Sequence, residues 1–232
     1  MVKATIPSKE ERLTRLLLKA GIPVGPLFVG LSLIVGLTSS GFHFEKHEVS
    51  LLLVGSTGWL QMANFILTGM LGVATAVGLR RALHPGKAGT WGPILFGLYG
   101  TLLIIAGCFH PDPQLGFPSG APQGIPSSPS GYATMHSIAF SLLALAIVAS
   151  GFVFARRFAT SGKRGWMSYS IASSVSILIF VFLGSALMAE GLGGLPLLGA
   201  AITISCWVSA IAVQTLRGID ENAHSLLPEL SF

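Results

Sequence analysis

Asp112 stands two residues after His110 at the start of a proline-rich stretch, and His136 lies about one turn into the apolar segment that follows it. A carboxylate beside an imidazole orients the ring and raises its pKa. With a water between them, Asp112 and His136 would be base and orienter of a hydrolytic site. With His110 added, His110, Asp112 and His136 would be a ligand set for a metal. Without a reactant, the same pair is a latch that holds a loop over a helix end. The bland readings stand beside these: Asp between prolines caps turns, and a histidine inside an apolar helix is also a hydrogen-bonded packing residue. Further titratable side chains share the neighbourhood. "HFEKHE" sets His43 and His47 four apart with Glu45 between them, which is not the HExxH order of zinc proteases. Together His43, Glu45, His47, Glu48, His110, Asp112, His136 and Glu190 face the single basic residue Lys46. The chain has no GxSxG, no P-loop and no CxxC.

Polar residues inside the apolar segments fall in stripes. Gln61, Asn64, Thr68 and Thr75 are spaced three, four and seven, which puts them on one helix face. Ser170, Ser173, Ser174 and Ser176 form a second group, and Thr134, His136, Ser137 and Ser141 a third. Such stripes either bond helices to one another or wall a polar cavity. On the cavity reading the ligand-binding residues are Trp59, Gln61, Asn64, Thr68, Phe117 and Ser137.

The elements that must hold these residues are membrane helices. Charged residues make up only 10% of the 232 and apolar ones 51%, with mean hydropathy +0.73; a soluble domain carries about 25% charged residues. Six stretches free of Lys, Arg, Asp and Glu are long enough to span a bilayer, roughly 22–42, 60–79, 91–109, 132–155, 166–188 and 194–216. The fold class expected is therefore all-α, a polytopic bundle of six transmembrane helices. Thirteen of the fourteen Lys and Arg residues fall on one side if the N-terminus is inside, and only Lys46 falls on the other. The positive-inside rule then places both termini in the cytoplasm, in a multi-pass protein of the cell membrane. Residues 1–20 read as a cytoplasmic amphipathic segment, 21–217 as the transmembrane domain and 218–232 as a partly disordered cytoplasmic tail. Cys108 sits at the outer end of the third span, and Cys206 lies about 18 Å deeper at 1.5 Å per residue, so no disulfide is expected.

Residues 110–131 hold ten Pro or Gly and four Ser. No helix forms from that composition, and proline lowers the entropy of ordering. The segment reads as an extracytoplasmic, polyproline-like lid across the bundle mouth, with Leu115 and Phe117 as apolar plugs.

"GSTGWLQMANFILTGMLGVATAVGLRRAL", then "GCFHPDPQLGFPSGAP", then a histidine at the head of the next helix resemble a prokaryotic membrane family, domain-of-unknown-function family 998. The resemblance covers the second to fourth spans by motif and the others by hydropathy. It implies a multi-helix integral membrane protein. By motif it points to Trp59, Gln61, Asn64, Phe65, Asp112, Pro113, Gly116, Phe117, Pro118, Gly120 and His136, and it carries no activity to transfer.

Three functions are open at this point. One is an outward-facing polar pocket under the lid that binds or moves a lipid-like or small polar ligand. The second is a membrane hydrolase using Asp112 and His136, with or without a metal. The third is a structural subunit of a membrane complex. Membrane lipid is the expected partner and nucleic acid is not. No cofactor is read from the sequence, and the oligomeric state stays open.

Overall fold

A computed structural model describes residues 8–225, with side chains through Glu221. Among these residues the chain is all helical: α1 (Lys9–Lys19), α2 (Val24–Thr38), α3 (Gly58–Leu83), α4 (Lys87–Cys108), α5 (Gly131–Thr160), α6 (Arg164–Ala186) and α7 (Gly194–Ser225), with a 3-10 segment at Val49–Val54. Six stretches have the length and composition to cross a membrane, the first joining α1 to α2 over Lys9–Thr38. Several helices outrun their apolar stretches. The last turns carry Arg80, Arg81 and Arg157, and cations suit the negative end of a helix dipole. The expected tail is helical from 218 to 225, and residues 226–232 lie outside the described part, as do residues 1–7 of the expected amphipathic segment.

Local chemistry sets the boundaries. Ser8 caps α1 by accepting from the Glu11 N–H at 3.1 Å, and Ser130 caps α5 by accepting from Ala133 at 3.1 Å. Pro196 falls in the first turn of α7, where a missing N–H costs least, whereas Pro93 lies inside α4, and the Gly89 carbonyl four residues before it accepts from Arg80 at 2.9 Å instead.

Consecutive helices from α3 to α7 pack side by side, and α2 packs on both α3 and α7, which closes the six into a ring. Gly69 and Gly100 let α3 and α4 approach until a Cβ on either would sit 2.6 or 2.7 Å from the other's carbonyl oxygen. Trp207, Phe96 and Phe154 fill the centre, with Trp207 ring-to-ring 6.0 Å from Phe96 and 5.8 Å from Phe154.

The two ends differ. At one, α1 lies against α3 and α7: Arg15 bonds Glu11 and Asp220, Arg81 bonds Glu10, and Lys163 pairs with Glu221 at 3.5 Å. We call this the basic end. At the other, residues 39–57, the segment after α4 and the α6–α7 turn meet, with Gly194 N–H donating to Glu45 and His47 bonding Leu115. We call this the lid end. Cys108 and Cys206 are unpaired and exposed.

Candidate functional site

The lid is an ordered loop built on a tight hairpin. Gln114 and Phe117 exchange both backbone hydrogen bonds, at 3.1 and 2.9 Å, around Leu115 and Gly116, whose φ values are +54° and +83°. Positive φ at both central positions is the geometry of a type I′ turn. Leu115 and Phe117 are buried, but against the α2–α3 connection: Phe117 packs edge-on to Phe42 at 5.3 Å and beside His47 at 5.6 Å. His47 ties the two segments. Its Nδ1 accepts from the His43 N–H at 3.0 Å, so its proton is on Nε2 and is donated to the Leu115 carbonyl at 3.1 Å. Burial pushes the His47 pKa down, partly offset by that bond.

The expected Asp112–His136 pair is not formed. Asp112 accepts from the Ser130 N–H at 2.7 Å and so fastens the lid to the start of α5. Hydrogen bonds from the Ser130 hydroxyl and backbone N–H hold its carboxyl below the ordinary aspartate range. His136 Nδ1 faces two carbonyls, Ala106 at 2.8 Å and Phe109 at 2.7 Å. Carbonyls only accept, so Nδ1 carries the proton and satisfies the end of α4. His110 Nδ1 donates to the Pro111 carbonyl at 3.0 Å, and its ring stacks on Tyr132 at 5.1 Å. His110, Asp112 and His136 therefore serve three separate local tasks, and no group of three or more metal-ligating side chains comes together among the described residues. His43 and His47 do not share a ligand site either, since His47 Nδ1 is used by the backbone of His43.

The α3 stripe is glue rather than a wall. Gln61 donates to Ser32 at 2.9 Å and to the Val49 carbonyl at 3.2 Å. Asn64 donates to the Phe28 carbonyl at 3.1 Å and to Ser32 at 3.2 Å, and Thr68 donates to Asn64 at 3.4 Å. At 0%, 1% and 0% exposure, Gln61, Asn64 and Thr68 present nothing to a ligand. Trp59 points the opposite way and is 68% exposed. The α6 serines also bond helices: Ser170 accepts from Trp207 at 3.2 Å, and Ser174 donates to the Val148 carbonyl at 3.3 Å.

Two adjoining cavities remain at the lid end. An outer vestibule of about 420 Å³ lies between the lid, α5 and the facing ends of α6 and α7, with Asp112, Gln114, Ser137, Ser141 and Ser185 on its walls. An inner chamber of about 60 Å³ is lined by Phe28, Phe65, Leu103, Leu143 and Ile204 and by a few polar groups. α5 and α7 flank that chamber without packing closely on one another. Glu48, His136, Phe140 and Leu197 border both spaces and form the neck between them.

Some polar atoms of the chamber have no partner among the described residues. Tyr99 and Ser205, each 2% exposed, line it, and neither hydroxyl has a hydrogen bond among the described residues. No fully enclosed polar side-chain atom lacks a partner there, so both hydroxyls open onto the cavity. His136 Nε2 is likewise uncommitted, its ring fixed by Nδ1. Burial raises the Glu48 pKa, against the opposing influence of His136 and Ser50. Glu48 was visible in the sequence only as one of an outer cluster. The signal that could have placed it is the run "VSLLLV" that follows: too apolar for a solvated loop and too short to span, it must turn into the bundle and carry Glu48 with it.

An all-helical chain with six apolar spans is a multi-pass integral membrane protein. It belongs to the family described as protein of unknown function DUF998, which matches residues 22–214. No curated protein and no solved structure matches the chain.

Proposed function

We propose that the protein binds a small lipid-like amphiphile through the two cavities, with a short apolar end in the chamber and the polar part at the Glu48–His136 neck and in the vestibule. The observation that carries this reading is the set of buried polar groups, Tyr99, Ser205 and His136 Nε2, that open onto a mostly apolar chamber and have no partner among the described residues. Buried polar groups are nearly always bonded, so a ligand or ordered water is what such a set calls for. Size narrows the class. At about 10–15 Å³ for each water-sized sphere, the chamber holds a few carbons and not a whole acyl chain. The exposed serines Ser137, Ser141 and Ser185 at the vestibule suit a polar group that enters between α5 and α6. On this reading the lid end faces away from the cytoplasm and both termini lie inside, the orientation that the charge asymmetry favours.

The test is native mass spectrometry of the detergent-purified chain, with extraction and identification of any bound small molecule. The wild-type chain should carry a bound amphiphile. Ala201→Phe, which fills the chamber, should lose it, and His136→Ala should retain less. If the wild type carries nothing and Ala201→Phe simply raises the unfolding midpoint, the chamber is a packing void and the reading fails.

A further inference from the structure

A separate cleft, of about 330 Å³, opens at the basic end between the C-terminal parts of α3, α5 and α7. Phe154 and Phe158 form an apolar wall, and the polar side chains of the lining are Arg157, Ser161, Lys163, Gln214, Thr215 and one carboxylate, Glu221. Gln214 is only 8% exposed, and its side-chain amide has no hydrogen bond among the described residues. Since no fully enclosed polar side-chain atom there lacks a partner, the amide opens onto the cleft. Arg157, half-buried and lining the same cleft, has no side-chain hydrogen bond or ion pair among those residues either. Lys163 is shared with Glu221 at 3.5 Å, which leaves its remaining N–H donors available.

We propose that this cleft binds a phosphate group, carried either by an anionic membrane lipid or by a soluble phosphate compound. The donor set fits that chemistry. A guanidinium fork, an ammonium shared with Glu221, an amide N–H₂ and the Ser161 hydroxyl at the rim offer more donors than the Glu221 carboxylate can accept, and a phosphate presents the further acceptor oxygens. The apolar wall beside them suits the first carbons of a glycerolipid. The site is independent of the lid-end cavities, so either proposal can fail without the other.

The experiment titrates the purified full chain in detergent with phosphatidylglycerol, phosphatidylcholine and inorganic phosphate, reading bound adducts by native mass spectrometry and the unfolding midpoint. Phosphatidylglycerol should bind in preference to phosphatidylcholine and raise the midpoint. Arg157→Gln and Gln214→Leu should each weaken it about ten-fold, the loss expected for a hydrogen bond to a charged group. Arg164→Gln removes the same charge from an exposed position outside the cleft and should change little. If inorganic phosphate binds with the same dependence on Arg157 and Gln214, the source is a soluble phosphate compound; if only the lipid does, the source is the headgroup. Should Arg164→Gln weaken binding as much as Arg157→Gln, the attraction is general surface charge and the proposal is overturned. It is equally overturned if neither phosphate source binds. Gln214→Leu removes an amide that has no partner among the described residues and so keeps the test valid where an arginine variant fails to fold.

Discussion

His47 is held neutral by its own contacts: a proton on Nδ1 would meet the His43 N–H that this nitrogen accepts. The consequence for pH follows from the direction of its shift. A histidine with a depressed folded pKa is bound by fewer protons when folded, so its contribution is complete above the ordinary histidine pKa and is lost as pH falls through the depressed value. Hydrogen exchange at Leu115–Phe117 should rise below about pH 6.5, and His47→Gln should flatten that rise. Asp112 titrates lower. Its tie to Ser130 is present above the ordinary aspartate pKa and is released only as pH falls through its lowered value. Because Asp112 is near the surface, Asp112→Asn should cost under about 1 kcal/mol, seen as faster exchange at Ser130–Thr134 and not as global unfolding. His136 was legible in the sequence as an ionisable residue inside a span, which must face the interior. Its partner was not, because the carbonyls of Ala106 and Phe109 are released by the end of α4, an event that spacing does not reveal.

At the level of elements, polar stripes predict which helix faces meet but not whether a gap is left between them. The Gln61–Asn64–Thr68 face was correctly an interior face, yet Ser32 and the Val49 carbonyl close it completely. The cavity lies instead where α5 and α7 diverge, and two of its polar groups, Tyr99 and Ser205, are single residues in apolar context with no periodic signal. The 3-10 segment was hidden for a related reason: six apolar residues carry no helical period to read. Close helix contact was more visible, since glycines in spans mark it. At the α3–α4 crossing each glycine faces backbone, which cannot yield. Gly100→Ala should therefore destabilise the chain by about 1–3 kcal/mol, measured as a lower unfolding midpoint in detergent. Gly97→Ala, whose Cβ would meet only Ala76 at an ordinary 3.4 Å, should leave the midpoint nearly unchanged.

Over the whole molecule, one end gathers the basic side chains of α1, α3, α5 and α6 with acids from α1 and α7, while the other holds the lid, His43, His47, His110 and His136, and the vestibule. A bundle with such ends inserts in one direction, because lysine and arginine resist translocation. The two cysteines offer a direct reading of that direction. Cys108 closes α4 at the lid end, exposed and unpaired, whereas Cys206 lies mid-helix on α7. A Cys206→Ala variant leaves Cys108 as the only thiol. In intact cells a membrane-impermeant maleimide should label it. A second variant, with Cys108→Ala, Cys206→Ala and Ser161→Cys, puts the thiol at the basic end, next to Lys163, and should be labelled only after the membrane is opened. The reverse pattern would turn the vestibule toward the cytoplasm and the phosphate cleft toward the outside, and the two proposed ligands would then have to be sought on the opposite sides of the membrane.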